Sequence, residues 1–133
     1  MGAAAIGVVT STFWNAAIDN PTNKKFVADY RTKYHVEPAE YAVQAYDDAM
    51  LLDSGVRGVN GMIKNRDAFA AALAKADFKS PRGNFKFNTN HFPIQDFYMA
   101  KVIADASGKP FIQLGDVAMR DHGDAYAAKC PMK

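Results

Sequence analysis

The chain has 133 residues, of which 49% are hydrophobic and 23% charged, as in an ordinary globular domain. These proportions exclude a collagen-like chain and a charge-rich disordered one. The net charge of +2 is too small for an electrostatic footprint on nucleic acid, so no nucleic-acid partner is expected. No apolar run approaches the ~20 residues that a membrane-spanning helix needs. We therefore expect one α/β domain over residues 1–133.

The first predicted element is a strand over residues 3–9, because a short continuous run of small and β-branched residues is typical of a strand buried on both faces. This opening has no basic segment, so it is not a signal peptide as written. The loop that follows carries Phe13 and Trp14. Ligands of open α/β sheets bind beyond the carboxyl ends of strands, so the pair is a candidate wall for an apolar or aromatic ligand. Packing under the next helix is the alternative; it stays open for Trp14 and is favoured for Phe13.

Cap residues mark the starts of two of three predicted helices. Asn20 is a candidate cap and Pro21 suits the first helical position, so a helix begins there and ends before Pro38. A third helix spans residues 66–76 behind the candidate cap Asn65. Its predicted buried face consists of Phe69, Ala72, Leu73 and Ala76.

The second helix is predicted over residues 39–57. One stripe of small and aliphatic residues runs along it and suits close packing against another layer. We call it the alanine stripe; it consists of Ala42, Ala45, Ala49, Leu52 and Val56. Tyr41 lies in the first turn, where the helix N-terminus favours an anion and a tyrosine adds a ring face and a hydroxyl. A half-buried capping aromatic is the alternative for Tyr41.

The rest of the chain has the period-two pattern of strands. Phe85 and Phe87 alternate with polar residues, residues 95–104 are apolar on both faces, and residues 110–117 form a third strand. A short terminal helix is predicted over residues 121–129. The strand over 95–104 suits the centre of a sheet. If its neighbours are absent, its open edge recruits a second copy, so we expect a homodimer.

No group of residues predicts catalysis, a metal site or a cofactor. The three histidines have no partner at metal-ligand spacing, and the single cysteine, Cys130, excludes an internal disulfide. The doublet Asp47-Asp48 is interpreted as one solvated face. The glycines from Gly55 to Gly61 follow a helix, whereas a dinucleotide loop follows a strand, so they are interpreted as a helix exit.

Four phrases of the chain resemble one known family. They are residues 19–30, 37–49, 80–87 (SPRGNFKF) and 90–98 (NHFPIQDFY). They are similar to the periplasmic solute-binding proteins of branched-chain amino acid type ABC transporters, and the last two are typical of members that handle amino acids, amides or aromatic acids. The resemblance covers most of the chain but only the C-terminal part of such proteins.

The resemblance implies a fragment of the type I periplasmic-binding fold, in which two α/β lobes close over a ligand without catalysis. It implies a small amino acid-like or aromatic carboxylate ligand, an ABC permease as partner of the intact receptor, and a periplasmic parent protein. By position, Tyr41 matches a site where an aromatic residue lines the cleft, with Phe13 and Trp14 near its mouth. A stand-alone interaction module of the same ancestry is the alternative, and a small α/β enzyme is a third hypothesis.

Overall fold

The computed structural model describes residues 2–130 and has the mixed α/β architecture that the sequence predicts. Within these residues three α-helices follow a first strand and precede three more strands. In chain order the elements are β1 (Val9–Thr12), α1 (Pro21–Tyr34), α2 (Glu40–Gly58), α3 (Arg66–Ala74), β2 (Lys86–Phe87), β3 (Pro93–Ala104) and β4 (Pro110–His122).

Strand β3 is the centre of an antiparallel sheet. It pairs with β1 over Tyr98–Lys101, with β2 at Pro93 and Ile94, and with β4 along nearly its whole length, with three register shifts. Because β1 and β4 pair with the same stretch of β3, they lie on its opposite edges. The expected central position is confirmed. Because strands pair with both edges of β3, the condition for an open β3 edge is not met.

Two terminal elements differ from their predictions. Residues 3–5 form a 3-10 turn instead of a strand, and β1 begins only at Val9. Most of the run is exposed, because among the described residues no second layer packs over this part of the sheet. At the other end, Asp121 and His122 continue β4, so the predicted terminal helix shrinks to a 3-10 turn over Ala127–Lys129.

The helix boundaries follow from the predicted caps. Asn20 Oδ1 accepts a hydrogen bond from the backbone N–H of Asn23 at 2.7 Å, and Asn65 Oδ1 accepts one from Ala68 at 3.2 Å. Helix α1 ends at His35, which has a left-handed backbone with φ of 56°. A Cβ on Gly55 would lie 2.6 Å from Leu73 Cδ2, so this glycine lets α3 approach α2 closely.

The apolar core joins the β1–α1 loop to α1 and α2. Its buried members are Trp14, Ile18, Phe26, Val27 and Val43. Most of the alanine stripe lies outside this core, because α2 buries a different face that contains Val43, Asp47, Ser54 and Gly55. Only its first residue, Ala42, is half-buried against the core. Ala45 and Ala49 are exposed, and Leu52 keeps 55% of its surface accessible. From Ala45 to Val56 the stripe is exposed among the described residues.

Candidate functional site

The β1–α1 loop, which carries two of the three predicted site residues, is held by one buried amide. Asn23 is fully buried on α1, and its Nδ2 lies within 3.2 Å of the carbonyl oxygens of Asn15, Ala16 and Ile18. Its Oδ1 accepts a hydrogen bond from Trp14 Nε1 at 2.8 Å. Four contacts from one side chain give the loop a defined shape.

Trp14 lies in the core behind this loop. It is 4% exposed, its indole N–H is bound by Asn23, and its ring meets Phe26 edge to face at a centroid distance of 6.0 Å. Of the two interpretations that the sequence left open, packing under the following helix describes its position. Trp14 thus supports the loop from behind.

Phe13 and Tyr41 lie beside the contact that joins this loop to α2. The Thr12 hydroxyl at the end of β1 donates a hydrogen bond to the Glu40 carboxylate at the start of α2. Phe13 follows Thr12 and is half-buried, with the Arg82 guanidinium 5.5 Å from its ring centroid. Tyr41 follows Glu40 and is 84% exposed, so the half-buried alternative is wrong for it.

The first turn of α2 carries both hydrogen-bond donors and a negatively charged acceptor. Its first helical hydrogen bond runs from Ala42 N to Ala39 O, so the N–H groups of Glu40 and Tyr41 precede the helical ladder. Such groups attract a carboxylate. The Glu40 carboxylate attracts a donor such as an ammonium or hydroxyl group. With the Tyr41 ring, the turn can bind a small planar or zwitterionic molecule.

A buried polar cluster that the sequence did not predict lies further along α2. Asp47 Oδ2 accepts hydrogen bonds from Arg82 Nε at 2.6 Å and Ser80 Oγ at 2.7 Å, and Arg82 Nη1 donates to Gln95 Oε1 at 3.0 Å. Asp47 is 2% exposed, so the interpretation of Asp47-Asp48 as one solvated face holds only for Asp48. Burial raises the pKa of Asp47 above its ordinary value of 3.8, against the opposing effects of Ser80 and Arg82.

The signal for this cluster is present in the sequence. Val43, Asp47 and Ser54 recur at intervals of four and seven, which places all three on one helix face. An acidic residue on a buried face requires a buried partner, and the SPRG turn supplies one in Arg82. The cluster thereby fixes that turn, and with it Phe13, against α2.

Two cavities lie near this cluster and away from Tyr41. One of about 600 Å³ lies between the start of α1 and the turn around Ser80, with Lys79 and Lys86 on its wall. The other, of about 220 Å³, lies between Asp47 and the rings of Phe78, Phe85 and Phe87. Tyr41 and Trp14 line neither cavity, so the candidate site is an open surface.

The described residues include no group that could hold a metal ion. His35, His91 and His122 are all exposed, as the sequence predicted. Over residues 2–130 no helix has the length and apolar character needed to cross a bilayer.

The candidate site described above consists of a strand end, a helix N-terminus and an exposed aromatic ring. A comparison with protein families shows which proteins the chain is related to. The sequence profile of a family described as periplasmic binding protein matches residues 1–109. The chain belongs to this family. A comparison with curated protein sequences finds no significant match.

Solved structures agree with the family assignment. A solute-binding protein of an ABC transporter from R. palustris, in complex with benzoate, is 36% identical over 89% of this chain, with a TM-score of 0.74. A solute-binding protein from Rhodopseudomonas palustris BisB5 with 3,4-dihydroxybenzoic acid is 28% identical over 94%, with a TM-score of 0.81. A leucine-binding protein from Thermotoga maritima is 27% identical over 86%, with a TM-score of 0.70.

The chain spans about a third of these relatives. It covers 32% of the benzoate-bound protein, 34% of the dihydroxybenzoate-bound one and 31% of the leucine-binding one. The expected match to part of a periplasmic binding fold is therefore confirmed.

Proposed function

We propose that this chain forms part of the solute receptor of an ABC importer, which captures a small amino acid-like or aromatic carboxylate ligand. The observation that carries the proposal is the 84% exposed Tyr41 ring at the start of α2, beside the loop that ends β1. The family match and the benzoate-bound relative support the ligand class. In the intact receptor the partner is an ABC permease, and the location is the periplasm.

Ligand recognition follows from the chemistry of the α2 turn. The ring of Tyr41 stacks against the apolar part of the ligand, and the N–H groups of the first turn face its carboxylate. Glu40 attracts an ammonium or hydroxyl group where the ligand carries one. Phe13 borders the same contact, and Trp14 keeps its loop in shape from the core. None of these steps changes a covalent bond, so the proposed role is binding without catalysis or cofactor.

Tyr41→Ala tests the proposal in a complete receptor. The receptor chimaera is the benzoate-binding protein of R. palustris in which this chain replaces the matched third. Isothermal titration with benzoate, 4-hydroxybenzoate and leucine identifies its ligand. Removal of the stacked ring is expected to lower the affinity for that ligand by about tenfold or more, because an aromatic side chain that covers a ligand is a typical hot spot.

Tyr126→Ala is the matched control, because Tyr126 is also exposed, at 66%, but lies beyond the end of β4 and far along the chain from the α2 turn. It should leave the affinity unchanged. A folded chimaera in which both variants bind equally well overturns the role of Tyr41, and a folded chimaera that binds none of the ligands overturns the proposed ligand class.

The expected homodimer of this chain is also part of the proposal. Since β3 is paired on both edges, we expect self-association through another exposed apolar surface, the alanine stripe.

A further inference from the structure

The smaller cavity beside the buried ion pair contains an acceptor that no described residue satisfies. Its volume of about 220 Å³ is far above the ~10–15 Å³ that a cavity needs to hold one water molecule. Asp47 lies on its wall and is 2% exposed. Ser80 and Arg82 both donate to Asp47 Oδ2, whereas Oδ1 has no hydrogen-bond partner among the described residues. A buried carboxylate oxygen without a donor is costly, so this wall favours an occupant that carries one.

The charges on the cavity wall favour a cation. Among the described residues that line it, Asp47 and Asp48 carry carboxylates and Arg82 carries a guanidinium. The guanidinium is already used, because its Nε donates to Asp47 and its Nη1 donates to Gln95. Asp48 is exposed and adds a second negative charge at the edge of the cavity. The wall therefore carries one carboxylate more than its cation compensates.

Three phenylalanine rings form another part of the wall, and they already hold one cation. The ring centroid of Phe85 lies 5.5 Å from that of Phe78 and 5.2 Å from that of Phe87. The guanidinium carbon of Arg82 lies 4.5 Å from the Phe85 centroid, which is within cation–π range. All three rings are half-buried and line the cavity, so they offer apolar surface to an occupant. Aromatic rings beside an uncompensated carboxylate suit an alkylammonium ion.

We propose that this cavity is a binding site for a small primary alkylammonium ion, whose N–H group donates to Asp47 Oδ1 and whose alkyl chain lies against the phenylalanine rings. Asp48 supplies the compensating charge at the edge. Tyr41, Phe13 and Trp14 do not line this cavity, so the site is separate from the ligand surface at the start of α2 and the failure of either proposal leaves the other standing. A ligand with few heavy atoms binds weakly, and we expect a dissociation constant in the millimolar range.

Titration of this chain with propylammonium tests the site, with 1-propanol and tetramethylammonium as matched probes. 1-Propanol has a hydrogen-bond donor without the charge, and tetramethylammonium has the charge without the donor. ¹H–¹⁵N NMR spectra report binding through the Nε–H group of Arg82 and the backbone amides of Asp48 and Phe87. Propylammonium is expected to shift these signals and to bind at least about fivefold more tightly than either probe. Equal binding of either probe, or no shift of these signals at about 100 mM propylammonium, overturns the proposal.

Asp48→Asn separates this site from a general attraction between opposite charges. It removes the charge at the edge, leaves the buried ion pair intact and should weaken propylammonium binding by about threefold or more. Asp53→Asn is the matched control, because Asp53 is exposed on the same helix, pairs with Arg57 and does not line the cavity. It should change the affinity by less than about 1.5-fold. Equal losses in the two variants overturn the site.

Phe87→Leu tests the aromatic wall. It keeps an apolar side chain but removes the ring, so it should weaken propylammonium more than 1-propanol. An unchanged affinity for propylammonium in a folded Phe87→Leu variant contradicts the proposal. If the isolated chain gives no dispersed NMR spectrum, the same titrations in the receptor chimaera decide by the same criteria.

Discussion

Asp47 and Arg82 form the buried ion pair at which α2, the SPRG turn and β3 meet. The two side chains are 2% and 7% exposed, and Ser80 and Gln95 complete their hydrogen bonds. Asp47 Oδ1 has no hydrogen-bond partner among the described residues, so the carboxylate depends on Oδ2 alone. A pair of this kind adds little net stability but makes each partner costly to remove.

Asp47→Ala is expected to lower the free energy of unfolding by about 3–5 kcal/mol, because it leaves the Arg82 guanidinium buried without its counter-ion. Urea unfolding followed by circular dichroism measures the change. Asp48→Ala next to it is the control and should stay within about 0.5 kcal/mol, since Asp48 is exposed. Equal losses in the two variants would show that the ion pair does not join the three segments.

The β3–β4 hairpin depends on a turn organised by one carboxylate. Asp105 Oδ1 accepts hydrogen bonds from Ser107 Oγ at 2.6 Å, Ser107 N at 2.8 Å and Lys109 N at 2.9 Å. These donors favour the charged carboxylate, and the Ser107 hydroxyl contributes most to holding the pKa of Asp105 below 3.8. The turn aligns the two longest strands of the sheet.

The turn makes the hairpin sensitive to acid. Because the pKa of Asp105 is lower in the folded than in the unfolded chain, its contribution is complete above pH 3.8 and is lost as the pH falls through the folded value. Carboxyl NMR titration should give a pKa below 3.8 that rises towards this value in Ser107→Ala. Ser11→Ala, on β1, should leave it unchanged. A pKa that is the same in all three proteins contradicts this account of the turn.

At the scale of the whole molecule, the described chain covers its sheet and its helices unevenly. The core lies under the β1–α1 loop, α1 and one face of α2, while most of the alanine stripe and of the outer strands remains exposed. The candidate ligand surface around Tyr41 is equally open. A binding site between two lobes takes its polar contacts from both, so one lobe alone presents only part of the site.

The isolated chain is therefore expected to bind the ligand of its relatives weakly or not at all. A ligand carboxylate on one open surface keeps most of its hydration, and the aromatic contact alone contributes little affinity. Isothermal titration with benzoate measures this, with the benzoate-binding relative as the positive control. Binding at about 1 μM or tighter would show that the site is complete within this chain.

The oligomeric state is the last prediction. Light scattering on a size-exclusion column should give twice 14.5 kDa, because we expect the exposed alanine stripe to pair two copies in the homodimer that the sequence predicts. A constant mass of 14.5 kDa over a wide concentration range contradicts the homodimer.

Local chemistry made much of this fold predictable from sequence. Asn20, Pro21 and Asn65 mark helix starts because a cap needs only a side-chain acceptor and a nearby N–H group. The central strand was predictable because apolar residues occur on both of its faces. Tyr41 was a candidate because its position in a helix N-terminus is a local property.

Only the tertiary structure decided which surfaces are covered. The run over residues 3–9 has the composition of a buried strand, but burial needs layers that pack over both faces, and most of this run is exposed among the described residues. Asp47 and Asp48 are neighbours of the same residue type, but only Asp47 contacts Arg82, which lies 35 residues away in the chain. Trp14 went to the core because Asn23 could satisfy its indole N–H there. Caps and periodicity act within a few residues and are legible in the sequence, whereas burial and ion pairing depend on segments that meet only when the chain has folded.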